Sequence, residues 1–76
     1  MARPLYEIAE EIKQDWGVKV NYAAKPYLEA MSQTSVITDM YGYDDAKSIV
    51  LYFLSNASSW RGDTARRVKA ELKGLL

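Results

Sequence analysis

The sequence predicts an all-α protein, a compact bundle of three to four helices with one apolar helix at its centre. Three observations predict it. Apolar residues recur at helical spacing in three stretches. One of these, Ala46 to about Asn56, is apolar on most of its sides, the pattern of a central helix. The composition is 49% hydrophobic and 26% charged with four Gly and two Pro, which is globular rather than disordered. The 76 residues make one domain, 1–76, in which folding buries only about 60% of the surface the unfolded chain exposes.

The first helix is predicted from Pro4 to about Trp16. Pro4 suits a first helical position. Leu5, Ile8, Ala9, Ile12 and Trp16 form one stripe, with Glu7, Glu10, Glu11 and Gln14 opposite, and Gly17 is the stop. Val18-Lys19-Val20 is too short to argue a sheet from. Asn21 can cap a helix through Ala23 and Ala24, which starts or kinks at Pro26 because a proline disfavours a helical Lys25. Tyr27, Leu28 and Met31 give it an apolar side. Ser32 to Ser35 reads as a break, and Val36 to Tyr41 as one further helical turn ended by Gly42.

Asp44 or Asp45 caps the Ala46–Asn56 helix. Its inward face is Ala46, Ile49, Val50, Phe53 and Ala57, and Leu51, Tyr52 and Leu54 widen it. Asn56 to Gly62 reads as a loop. Asp63 or Thr64 then caps a last helix ending near Lys73. Its inward stripe is Ala65, Val68, Leu72 and Leu75, with Arg66, Lys69 and Lys73 beside it and an Arg67–Glu71 pair at i, i+4 on the far side. The first and last helices are expected to pack on the central one.

Composition excludes much chemistry. The chain has no Cys and no His. It therefore lacks a disulfide framework, a thiolate metal site and the commonest general base and metal ligand. The Glu7, Glu10 and Glu11 carboxylates lie on a polar face, where nothing shifts one of them for acid–base work. Asp39, Asp44 and Asp45 do not have calcium-loop spacing. Arg61-Gly62-Asp63 and Asn56-Ala57-Ser58 match an adhesion tripeptide and a glycosylation acceptor, but both need an extracellular protein. The opening Met1-Ala2-Arg3-Pro4 lacks the apolar run of a signal peptide, and Ile49 to Leu54 is far short of a membrane span. No enzyme activity, cofactor, metal, small-molecule substrate or membrane is expected, and the compartment expected is the cytoplasm.

Charge is the positive pointer. The chain is neutral overall, with ten basic and ten acidic residues. From Arg61 onward there are five basic residues against two acidic, a balance of +3, and the first sixty residues carry −3. A basic ridge of Arg66, Lys69 and Lys73, entered at Arg61, suits an acidic protein surface or phosphates. It also suits the helix dipole, or the acidic face of the protein's own first helix. Six of the nine aromatic residues are tyrosines. Trp60 beside Arg61 is the sharpest hot-spot pair, although a small core also uses a tryptophan as a plug. Tyr41 and Tyr43 flank a turn glycine. The helices around residues 56–62 invite comparison with a helix-turn-helix, but their connection is longer than that motif's tight turn.

Tyr41-Gly42-Tyr43-Asp44 leading into Ala46-Lys47-Ser48-Ile49-Val50, then Phe53-Leu54-Ser55-Asn56 and Trp60-Arg61-Gly62, resembles small uncharacterised proteins encoded by bacteriophages, over roughly the second half of the chain. The resemblance implies a small accessory protein in a bacterial cytoplasm that binds a host or phage macromolecule, and it carries over no functional residue. The expectation is a non-catalytic helical interaction module that binds a host or phage protein or self-associates, with DNA binding through the last helix as the alternative. The expected partner-binding residues are Trp60, Arg61, Arg66, Lys69 and Lys73, with Tyr41 and Tyr43.

Overall fold

The chain's two ends and its middle meet at one pole of the molecule. The computed structural model describes residues 3–76, Val18 by its backbone alone; Met1 and Ala2 of the opening read above lie outside the described residues. Helix α1 spans Leu5–Trp16. Pro4 is its N-cap rather than its first residue, with φ −64 set by the ring and ψ extended at 148. The two leading N–H groups, which a helix leaves without partners, are satisfied from elsewhere. Leu5 N–H donates to the Ser35 carbonyl (2.8 Å) and Tyr6 N–H to the Thr34 carbonyl (2.9 Å). Gly17 ends α1 at φ +61, a conformation that favours glycine.

A 3₁₀ turn over Gly17–Lys19 reverses the chain. Asn21 then organises the entry to helix α2, Lys25–Met31. Its side-chain oxygen accepts from Ala23 N–H (2.8 Å), and its carbonyl accepts from Ala24 and Lys25. Pro26 sits in the first turn of α2, where its missing N–H removes no helical bond.

Residues 36–41 do not form the expected helical turn. The Asp39 carboxylate accepts from the Ser35 and Val36 N–H groups (2.7 and 3.0 Å) and so builds a loop. A hairpin follows, with strands β1 (Met40–Tyr41) and β2 (Asp44–Asp45) antiparallel and Met40 facing Asp45. Gly42 at φ +67 opens its two-residue turn. The fold is therefore mainly helical, not purely so. Asp45 is the cap of helix α3 (Ala46–Ser55), accepting from Ser48 N–H at 2.8 Å, and Asp44 belongs to the strand.

Helix α4 spans Asp63–Leu75. Neither Asp63 nor Thr64 caps it. Its N-cap is Gly62 at φ +113, with no side-chain bond to the helix.

The core is a single cluster that includes Leu5, Ile8, Ile12, Met31, Val50, Phe53, Val68 and Leu72. Two helices are flanked on both sides: α1 packs on α2 and α4, and α2 on α1 and α3, whereas α3 lies chiefly against α2. The expectation of a surrounded α3 fails because so short a chain cannot cover every side of it. Leu51 and Tyr52 are about half exposed, and Tyr52 meets the ring of Tyr27 at 5.4 Å. No described helix is long and apolar enough to cross a membrane.

Candidate interaction surface

At the pole where α1 ends and α4 begins, three aromatic rings lock together. Trp60 stacks on Trp16 with centroids 5.6 Å apart and planes 14° from parallel, and Phe53 meets both edge-on at 6.2 and 6.5 Å. The Trp60 indole N–H donates to Asp15 Oδ2 at 2.8 Å. Only 2% of Trp60 is exposed. The ring thus plugs the core, as the plug reading of the sequence has it, and its place among the expected partner-binding side chains is corrected. A buried indole needs a hydrogen-bond partner, and Asp15 supplies it from the last turn of α1.

Trp60 contributes to the surface through its backbone. Lys69 Nζ donates to the Trp60 carbonyl at 2.6 Å and sits 5.9 Å from the centroid of the same ring. Burial, then the charges of Lys73 and Arg61, push the Lys69 ammonium's pKa down. No carboxylate pairs with Lys69 among the described residues. The Arg61 and Lys73 side chains are exposed and make no ion pair or hydrogen bond among the described residues. Arg66 reaches only Asp63, at 4.0 Å with both side chains in solvent, a geometry that contributes little. Lys19, from the turn after α1, joins them. It lines a groove of about 510 Å³ with Asp15, Trp16, Ser59, Trp60 and Arg61. A second groove of about 330 Å³ runs past Arg61, Gly62, Ala65, Arg66 and Lys69.

Most of the acidic residues, by contrast, are occupied internally. Glu11 accepts from Arg67 and from Arg3 (2.7 Å), while Glu71 takes Arg3 through both oxygens, at 2.6 and 2.9 Å. Arg67 first, and Arg3 after it, hold the Glu11 carboxyl below the usual carboxylate range; Arg3 does the same for Glu71. The expected Arg67–Glu71 pair is thus split across the α1–α4 seam. The acidic face of α1 does meet α4 internally, but through Arg67 and not through Arg66, Lys69 or Lys73. Asp39 and Asp45 accept backbone N–H groups, and Glu29 faces Lys13 at 3.6 Å. A formally neutral chain therefore presents free cations at this pole.

Comparison with protein-family models, with curated proteins and with solved structures gives no match.

Tyr41 and Tyr43 are not brought to the basic pole. They belong to the hairpin that follows the 34–39 loop, and that loop bonds the start of α1, the opposite end of a helix about 18 Å long. Tyr43 is fully exposed and Tyr41 41% exposed. Lys19 and Asp15 were missed from the sequence. Lys19 stands in a segment with no readable period, and Asp15 looks like one more solvated acid.

Proposed function

We propose that this protein is a small non-catalytic interaction module that binds a macromolecular partner through its basic pole, as an accessory protein of phage type in a bacterial cytoplasm. One observation carries the reading. Glu11, Glu71, Asp15, Asp39 and Asp45 are engaged within the fold, while Lys19, Arg61, Arg66 and Lys69 gather at one end without carboxylate partners inside the fold, apart from the solvated Asp63–Arg66 contact, and Lys73 continues their row along α4. Unbalanced cations on a rigid frame steer and select an anionic partner. The resemblance to phage-encoded proteins accords with a short chain that works by binding. Affinity capture from a bacterial lysate tests it. A species retained by the wild type and lost with Arg61→Glu/Lys19→Glu supports the module. An identical set of species for both proteins overturns it.

Two further readings each have an observation in favour. Arg66, Lys69 and Lys73 occupy successive turns of one helix, an arrangement that can follow duplex phosphates. Absence of an anisotropy change with a fluorescent duplex at low salt removes that reading. Self-association is favoured by the opposite pole, where Val36, Met40, Tyr41 and Tyr43 are exposed. Sedimentation as a monomer at high concentration removes it.

A further inference from the structure

Building on the basic-pole reading, we propose that the two grooves flanking Arg61 form one site for an acidic polypeptide segment, whose carboxylates bind Lys19, Arg61, Arg66 and Lys69. The grooves meet at Trp60 and Arg61, which line both. Their cations come from three parts of the chain: the turn after α1, the loop before α4 and α4 itself. An extended segment crossing Arg61 touches all three.

Lys69 is the fixed point of the site. Its bond to the Trp60 carbonyl and its seat by the indole hold the ammonium in place before any partner arrives. It keeps donors to spare, since an ammonium has three. Desolvation and two neighbouring cations disfavour its charge, and the negative charge of an arriving carboxylate offsets both effects. Preorganised, undercompensated charge of this kind lowers the ordering cost of binding.

The same surroundings favour a polypeptide over nucleic acid. Single strands are held by aromatic platforms on which bases stack. Trp16 and Trp60 are 6% and 2% exposed, and no tyrosine lines either groove. Asp15 lines the first groove, and Asp63 stands beside Arg66 at the second. These acids repel a backbone charged at every step, whereas a polypeptide can place neutral residues opposite them.

The test is fluorescence anisotropy with a labelled peptide of about twelve residues that alternates glutamate with leucine and serine. The comparison probes are its glutamine counterpart, a single-stranded DNA of equal charge and a short duplex. The peptide is expected to bind, and its glutamine counterpart not to. Lys69→Gln, Arg61→Gln and Lys19→Gln should each weaken binding about five- to tenfold, and Lys47→Gln, at the other end of α3, should leave it unchanged. The Arg61 and Lys19 side chains are exposed and make no ion pair or hydrogen bond among the described residues, so their variants report on binding even if Lys69→Gln disturbs the fold. Equal binding of the glutamine peptide, or equal losses with Lys47→Gln, overturns the site. Tighter binding of either DNA overturns the polypeptide assignment and leaves the basic-pole reading standing. If no probe binds and no lysate partner depends on the pole, both fall.

Discussion

Replacing Trp60 by alanine removes the keystone of the basic pole, and the structure sets the scale of the loss. The indole is 2% exposed and touches Trp16 and Phe53. Truncating a buried tryptophan to alanine costs about 3–5 kcal/mol from lost transfer free energy and the cavity left behind. A domain of this size has a total stability of about 4–11 kcal/mol, so the variant keeps little reserve. At about 4–8 °C per kcal/mol, its melting temperature should fall by more than about 12 °C. Trp60→Phe keeps a ring against Trp16 and forfeits the N–H bond to Asp15, a charged bond whose loss costs about 1.5–3 kcal/mol. Urea unfolding followed by far-UV dichroism ranks the two variants, and Trp16, the one tryptophan left, reports on the same transition by fluorescence. If Trp60 were a surface contact residue, Trp60→Ala would shift stability by no more than about 0.5 kcal/mol. That result, or a Trp60→Phe loss equal to that of Trp60→Ala, would refute the packing argument.

Other expectations follow from the same structure. The Glu11 and Glu71 carboxyls are held low in the folded protein. Their stabilisation is therefore present above the ordinary carboxylate pKa and disappears as pH falls through the depressed folded values. The urea midpoint should drop between pH 6 and pH 3, and drop less in Glu11→Gln/Glu71→Gln. Arg3→Ala should cost about 1–2 kcal/mol, a bidentate network discounted because these side chains are about a third exposed. A double-mutant cycle with Glu71→Ala measures that coupling, and additive losses would contradict it. Gly62→Ala forces a side chain into φ +113 and should cost about 1–3 kcal/mol, read as a lower melting temperature. Gly74→Ala, inside α4 with nothing near its added Cβ, should be neutral or stabilising.

The strongly periodic parts of the fold were legible because burial alone dictates them. Leu5, Ile8, Ala9, Ile12 and Trp16 are the buried residues of α1, and Ala65, Val68 and Leu72 those of α4. The segment from Val36 to Tyr41 differs from the helical turn its sequence suggests because one carboxylate organises its start. Asp39 gathers two N–H groups that a helical turn would have used otherwise, and no periodicity records such a bond. The centrality of α3 was overread because apolar character says that a face can be buried, not that enough chain exists to bury it. The basic ridge was visible as a run of charge along α4, but Lys19, some forty residues earlier in the chain, enters the same surface only through the fold. Tyr41 and Tyr43 carry no sequence sign of their distance from Arg61.

Arg3 holds Glu71 in a bidentate grip, and Pro4 and Leu75 line the same shallow groove. The beginning and end of the described chain are therefore neighbours, at the pole opposite Arg61. A short linker can join them, and the chain can be reopened between Gly42 and Tyr43 without cutting a helix. The contact order of such a permutant would differ, but its basic pole would not. For the same reason, a fluorophore attached at Leu76 stands clear of Lys19, Arg61 and Lys69 and is a neutral handle for measuring what that pole holds.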